Sequence, residues 1–124
     1  MTFAAVCLCA VLVTLPFGLA FLLAPEQVSS PYGIMGFNAG TLMVARLFGA
    51  SLLLVAAAAF AVRTTADGAL QRRFSGTFAA ASVAAVFVAA HATLTGAVNA
   101  LGWSTTLIYV LFTLAWTRIA VGAR

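Results

Sequence analysis

The chain has 124 residues, of which 65% are hydrophobic and only 6% are charged, and its formal net charge is +4. A soluble domain carries roughly 25% charged residues, and a water-soluble fold of this size could not cover so much apolar surface. The composition therefore excludes an ordinary soluble domain and predicts a protein that lies in a lipid bilayer.

Four apolar runs are long enough to cross a membrane, because a helix of about 20 apolar residues spans a hydrocarbon core roughly 30 Å thick. In chain order they cover about residues 3–23, 40–62, 74–96 and 103–121. Small residues four positions apart, such as Ala45 with Gly49 and Ala80 with Ala84, allow helix backbones to approach closely. We therefore predict an all-α integral membrane protein in which residues 1–124 form one four-helix bundle domain.

The arginines predict which helix ends face the cytoplasm. Three lie between the second and third runs, and two lie near the C terminus: Arg63, Arg72, Arg73, Arg118 and Arg124. The first connecting segment holds Glu26 and no basic residue. Because short cytoplasmic loops are enriched in Lys and Arg, both termini and the central loop are expected in the cytoplasm. The positive charge thus indicates topology, and no nucleic-acid partner is expected.

Two ionisable residues, Arg46 and His91, interrupt apolar runs. A charge at a helix centre costs roughly 2.5–3.5 kcal/mol on insertion scales, so such residues usually face the bundle interior or a wet cavity. Arg46 lies 17 residues before Arg63, and His91 lies 18 residues after Arg73. At 1.5 Å per residue, both are roughly 26 Å from the cytoplasmic boundary. We therefore predict that they meet inside the bundle, in the outer half of the bilayer.

Other polar or aromatic side chains are predicted near the same level: Glu26, Asn38, Asn99, Trp103 and Tyr109. With Arg46 and His91 they could surround a pocket for a lipophilic small molecule, and Glu26 or Asn99 is expected within polar reach of that pair. In this hypothesis Glu26 and His91 act as acid and base, and Arg46 holds an anionic group. Asn38, Asn99, Trp103 and Tyr109 would bind the ligand.

The absence of cofactor motifs favours, for any reaction, a cofactor-independent isomerisation, cyclisation or hydrolysis. A single histidine with no acid or thiol near it in sequence cannot hold a metal ion alone, so no metal site is predicted.

Each candidate residue also has a purely structural interpretation. Arg46 can extend to the phosphate groups of the outer leaflet. His91 can donate a hydrogen bond to a carbonyl group of a neighbouring helix. Glu26 can be an exposed loop acid or a helix cap, and Asn99 can shape the turn before the fourth helix. Trp103 fits the belt of aromatic residues at a membrane interface.

Two other functions are compatible with the sequence. The first is an oligomeric transporter of small molecules or ions, in which a polar stripe on the fourth helix, including Thr106 and Thr113, lines a pore. Four helices leave little room for a pore, so this function requires a homo-oligomer. The second is an accessory subunit that docks to a larger membrane complex through its small-residue faces. Membrane lipids are partners in every case.

Three segments carry a resemblance to known proteins. They read L-L-A-P-E at residues 22–26 followed by Tyr32-Gly33, A-R-L-F-G-A at 45–50, and G-A-V-N-A-L-G-W at 96–103. The chain resembles a set of small, uncharacterised bacterial membrane proteins with four helices, some of them loosely DoxX-like. The resemblance spans all four helices. It implies a multi-pass protein of the bacterial inner membrane, and it implies no reaction and no site residues.

Overall fold

The computed structural model describes residues 2–122, and within that range every regular element is helical. The elements are α1 (Phe3–Leu23), α2 (Pro25–Ser29), a 3₁₀ turn (Ser30–Tyr32), α3 (Ala39–Val62), α4 (Gly68–Leu94) and α5 (Gly102–Gly122). The predicted all-α class is confirmed. Four helices, α1, α3, α4 and α5, are long and apolar enough to cross a membrane. They indicate a multi-pass membrane protein.

The helix boundaries agree with the prediction to within one residue except in α4. This helix begins at Gly68 rather than near residue 74, and it ends at Leu94 rather than residue 96. The carboxylate of Asp67 accepts hydrogen bonds of 2.8 and 3.2 Å from two backbone N–H groups of the first turn. This cap sets the start of the helix, whereas hydrophobicity locates only its apolar part. Arg72 and Arg73 therefore lie in the second turn of α4 and not in a loop.

The described chain divides into two compact units. The first consists of residues 2–6 and 64–122 and contains α4 and α5, and the second is Cys7–Arg63 and contains most of α1 with α2 and α3. The predicted single bundle of all four helices would require the two units to pack together. It stays a prediction. Arg124 lies outside the described residues.

Four aromatic rings form the core of the first unit. Trp116 of α5 is 1% exposed. Its ring centroid lies 6.4, 5.8 and 5.5 Å from those of Phe3, Phe74 and Phe78. Phe74 and Phe78 stack 4.3 Å apart, because residues four apart lie on the same face of a helix. Such pairs contribute stability beyond their buried area. They hold the C-terminal half of α5 against the N-terminal half of α4.

The second unit contains a very close contact between α1 and α3. A β-carbon placed on Gly49 would lie 2.7 Å from the carbonyl oxygen of Gly18 and 2.7 Å from the backbone nitrogen of Leu22. Helix backbones approach this closely only where no side chain separates them, which is the small-residue packing typical of membrane helices. Beside this contact the rings of Phe21 and Phe48 meet edge to face, with centroids 5.1 Å apart.

We predict that Gly49→Ala pushes α1 away from α3 and lowers the free energy of unfolding by about 1–3 kcal/mol, the usual cost of overpacking. The new methyl group would meet backbone atoms, which cannot rotate away as a side chain can. Thermal unfolding of the detergent-solubilised protein measures the change. Gly76→Ala in α4 is the control, because a β-carbon there meets no atom within 4 Å. Equal stability of the two variants would contradict the close contact.

Candidate functional site

A concave surface forms because the N-terminal end of α3 extends beyond the level at which α1 ends. Pro25 disfavours helical backbone at the residue before it, and Ala24 accordingly has φ −141° and ψ 58°. Leu22 is level with Gly49 of α3. Since α3 begins ten residues before Gly49, at Ala39, about 15 Å of this helix extends past the end of α1. The connecting segment with α2 packs against this extension.

The groove between these segments has a volume of about 610 Å³ and is shallow, with most of its surface open. We call it the α1/α3 groove. Its lining is mostly apolar and comes entirely from the second unit: Phe21, Ser29, Ile34, Phe37, Asn38, Gly40, Thr41, Val44, Ala45 and Phe48. Ligand sites in proteins typically have volumes of 300–1,000 Å³ and predominantly hydrophobic walls with a few polar groups. The groove has such a volume and such walls, and it is shallower than the clefts that enclose most of a ligand.

A smaller concavity of about 250 Å³ adjoins the groove, and Glu26 lines it. We call it the Glu26 pocket. Ile34 and Phe37 line both concavities, so they form the wall between them. Gly33 and Gly36 have φ of 81° and 75°, values that glycine adopts at little cost. These two glycines turn the chain on either side of Ile34 and place it at the wall.

Asn38, predicted to bind a ligand, borders the groove and also begins α3. Its side-chain oxygen accepts a 2.9 Å hydrogen bond from the backbone N–H of Thr41, and its own N–H donates to the Thr41 hydroxyl at 2.8 Å. This reciprocal pair satisfies backbone N–H groups that the helix itself cannot. The side-chain oxygen of Asn38 therefore has a structural role in the described chain.

Arg46 does not line either concavity. The groove is lined on α3 by Gly40, Thr41, Val44, Ala45 and Phe48. At about 100° per residue, Arg46 lies about 170° around the helix from the centre of that face. Its side chain is exposed. Within the second unit, Arg46 and the α1/α3 groove thus lie on nearly opposite sides of α3.

The remaining candidates lie in the first unit. His91 is exposed in the last turn of α4. Asn99 shapes the turn before α5, because its side-chain oxygen accepts a 3.0 Å hydrogen bond from the N–H of Leu101. Trp103 is 46% exposed at the start of α5, and Tyr109 is half-buried in the same helix. The side-chain oxygen of Asn99 thus has a structural role in the described chain, and its predicted role in ligand binding stays a prediction.

The structure therefore brings only part of the predicted site together. Glu26 and Asn38 line adjoining concavities of the second unit, and Arg46 faces another direction. Arg46 lies in the second unit and His91 in the first, so the predicted contact between them stays a prediction.

The apolar walls of the groove were not predicted from the sequence. The predicted site was built mainly from polar residues, whereas most of the groove lining is aromatic or aliphatic. A signal was present in the connecting segment, where Ile34, Met35 and Phe37 follow Gly33 within five residues. Apolar residues between two membrane helices indicate a segment that packs against a helix or lipid, because a loop in water is usually polar.

The described residues offer limited chemistry. Among residues 2–122, no three His, Cys, Asp or Glu side chains lie close enough together to hold a metal ion. The hydroxyl groups of Thr106 and Thr113 on α5 donate to carbonyl groups four residues earlier, at 3.1 and 2.8 Å. These polar groups are satisfied by their own helix. The second unit thus offers an apolar groove with one carboxylate beside it.

No family model, no curated protein and no solved structure matches the chain. The resemblance to small bacterial four-helix membrane proteins stays a prediction. The α1/α3 groove is therefore the feature of the molecule that bears on function.

We predict that Asn38→Ala lowers the free energy of unfolding by about 1 kcal/mol, because the first turn of α3 loses its cap. Asn38→Ser should remain close to the parent protein, since serine caps helices about as well as asparagine. Thermal unfolding of both variants under the same conditions measures the difference. If Asn38→Ala is as stable as Asn38→Ser, the cap does not contribute measurably to stability.

Proposed function

We propose that this chain is a multi-pass membrane protein that binds the apolar part of a lipophilic small molecule in the α1/α3 groove. The observation that carries the proposal is an open groove of about 610 Å³ with a mainly apolar lining. For a ligand already dissolved in lipid, van der Waals packing against the groove walls, and not transfer out of water, would hold its apolar part. Because most of the groove surface is open, a molecule dissolved in the bilayer could enter it laterally.

We place the groove in the outer half of a bacterial inner membrane. Arg63 follows the end of α3, whereas the groove and Glu26 lie at the start of that helix. The 24 residues of α3 give it a length of about 36 Å, which is enough to span the bilayer. Arg63, Arg72 and Arg73 favour the cytoplasm for the end of α3. The start of α3 is then on the outer side, and the N terminus is cytoplasmic.

Binding is better supported than catalysis. An acid–base reaction would need Glu26, Arg46 and His91 around one ligand. The α1/α3 groove has Glu26 beside it, whereas Arg46 lies on a nearly opposite side of α3. The hydroxyl groups of Thr106 and Thr113 donate to their own helix and keep their acceptor lone pairs, so these hydrogen bonds do not decide for or against a pore. We therefore propose binding without assigning a reaction.

The topology predicts which cysteine substitutions a membrane-impermeant maleimide labels in intact cells. Gln27→Cys on the outer side should be labelled, and Ala66→Cys on the cytoplasmic side should be labelled only after the cells are permeabilised. Both positions are exposed. The native Cys7 and Cys9 are replaced by alanine in both variants, and the protein with no added cysteine gives the background. Labelling of Ala66→Cys alone would reverse the proposed orientation.

Ligand binding is tested by a photoactivatable twelve-carbon alcohol that carries a diazirine, added to the protein in nanodiscs of uncharged glycolipids. We predict crosslinks to groove residues such as Phe21, Phe37 and Phe48, located by peptide mass spectrometry. Ala45→Trp should reduce this labelling about tenfold, which corresponds to a loss of about 1.4 kcal/mol of binding free energy. The indole would fill the groove, because Ala45 lines it.

Ala57→Trp is the matched control for this experiment. Ala57 is exposed on the same helix and lies about 170° from the centre of the groove-lining face. This variant should be labelled in the groove as strongly as the parent protein. Crosslinks spread evenly over the lipid-facing residues, or equal labelling of Ala45→Trp and Ala57→Trp, would contradict the proposed function.

A further inference from the structure

The charge beside the α1/α3 groove is negative. Among the described residues that line the groove or the Glu26 pocket, Glu26 is the one that carries a charge. Its side chain is exposed. Within residues 2–122 the structure gives its carboxylate no hydrogen-bond or ion-pair partner. The carboxylate is thus available to a group from outside the chain.

The position of Glu26 links it to the groove. Ile34 and Phe37 separate the two concavities, and each lines both of them. The wall is therefore one layer of side chains thick. A ligand whose apolar part occupies the groove and whose head group extends past Ile34 would reach the carboxylate. The residues that line both concavities all belong to the second unit.

Charge complementarity selects the head group of that ligand. An anionic head would be repelled by Glu26, and a neutral head would leave the carboxylate without a counter-ion. Arg46 lies on a nearly opposite side of α3, away from the groove. A protonated amine or quaternary ammonium group therefore fits best.

We infer that the ligand of the α1/α3 groove is a lipophilic amine or ammonium compound, and that Glu26 is the counter-ion of its head group. This inference rests on the proposed function. It differs from the prediction that Arg46 holds an anionic group, because that role would require the ligand to lie on another face of α3.

Three photoactivatable probes with the same twelve-carbon chain test the inference. They carry an amine, a hydroxyl or a carboxylate head and are compared at neutral pH in nanodiscs of uncharged glycolipids. Half-maximal crosslinking of the groove should need about tenfold less amine than alcohol, as expected for a hydrogen bond to a charged group. The carboxylate probe should crosslink least.

Glu26→Gln should remove the preference for the amine, whereas crosslinking by the alcohol should stay nearly unchanged because the glutamine oxygen can still accept a hydrogen bond from its hydroxyl. Glu26→Asp should retain the preference, because it keeps the carboxylate. Thermal unfolding of Glu26→Gln should match the parent protein, since the carboxylate has no partner within the described chain. A loss of amine preference with unchanged stability and nearly unchanged alcohol crosslinking therefore supports the inference.

The possible failures can be told apart. Equal crosslinking by all three probes, still blocked by Ala45→Trp, would overturn the charged head group and leave the proposed groove in place. Strongest crosslinking by the carboxylate probe, or a full amine preference in Glu26→Gln, would also overturn the inference. Absence of groove crosslinking by every probe would overturn the proposed function itself.

Discussion

The close contact of Gly18 with Gly49 sets the geometry on which the α1/α3 groove depends. In lipid, helices gain no hydrophobic driving force from association, so van der Waals packing must hold them together. Two facing glycines maximise that packing, because the backbones themselves meet. The edge-to-face pair of Phe21 and Phe48 lies beside this contact and lines the groove. A side chain at Gly49 would separate the helices and disrupt this wall of the groove.

The signals that end one helix and begin the next also create the site. Pro25 ends α1, and the reciprocal hydrogen bonds of Asn38 and Thr41 begin α3. Because α3 begins beyond the level at which α1 ends, about 15 Å of α3 has no α1 beside it. The connecting segment covers part of this length, and its Ile34 and Phe37 divide the remaining space. Local backbone chemistry thus positions an apolar groove next to a carboxylate.

The sequence predicted the helices better than the site, for a physical reason. Length and hydrophobicity locate α1, α3 and α5 to within one residue, whereas the early start of α4 depends on the Asp67 cap. The direction in which a side chain points depends on which helix face packs. Spacing of small residues does not decide this: Gly49 lies at a backbone contact, whereas Ala80 and Ala84 have the same spacing and are exposed. The spacing of residues in the sequence could therefore not predict which way the Arg46 side chain points.

Glu26 of α2 and Arg46 of α3 are charged residues near the N-terminal end of α3. They differ in the partners that a bilayer offers them. Arg46 is exposed on a side of α3 away from the groove, and the phosphate groups of lipids are natural partners for a guanidinium that extends along the helix. The same phosphates repel the carboxylate of Glu26, which can pair with water, counter-ions or an ammonium group. A lipophilic cation has the further advantage that its apolar part can occupy the groove. In the proposed function, Arg46 is therefore directed toward lipid and Glu26 toward the ligand.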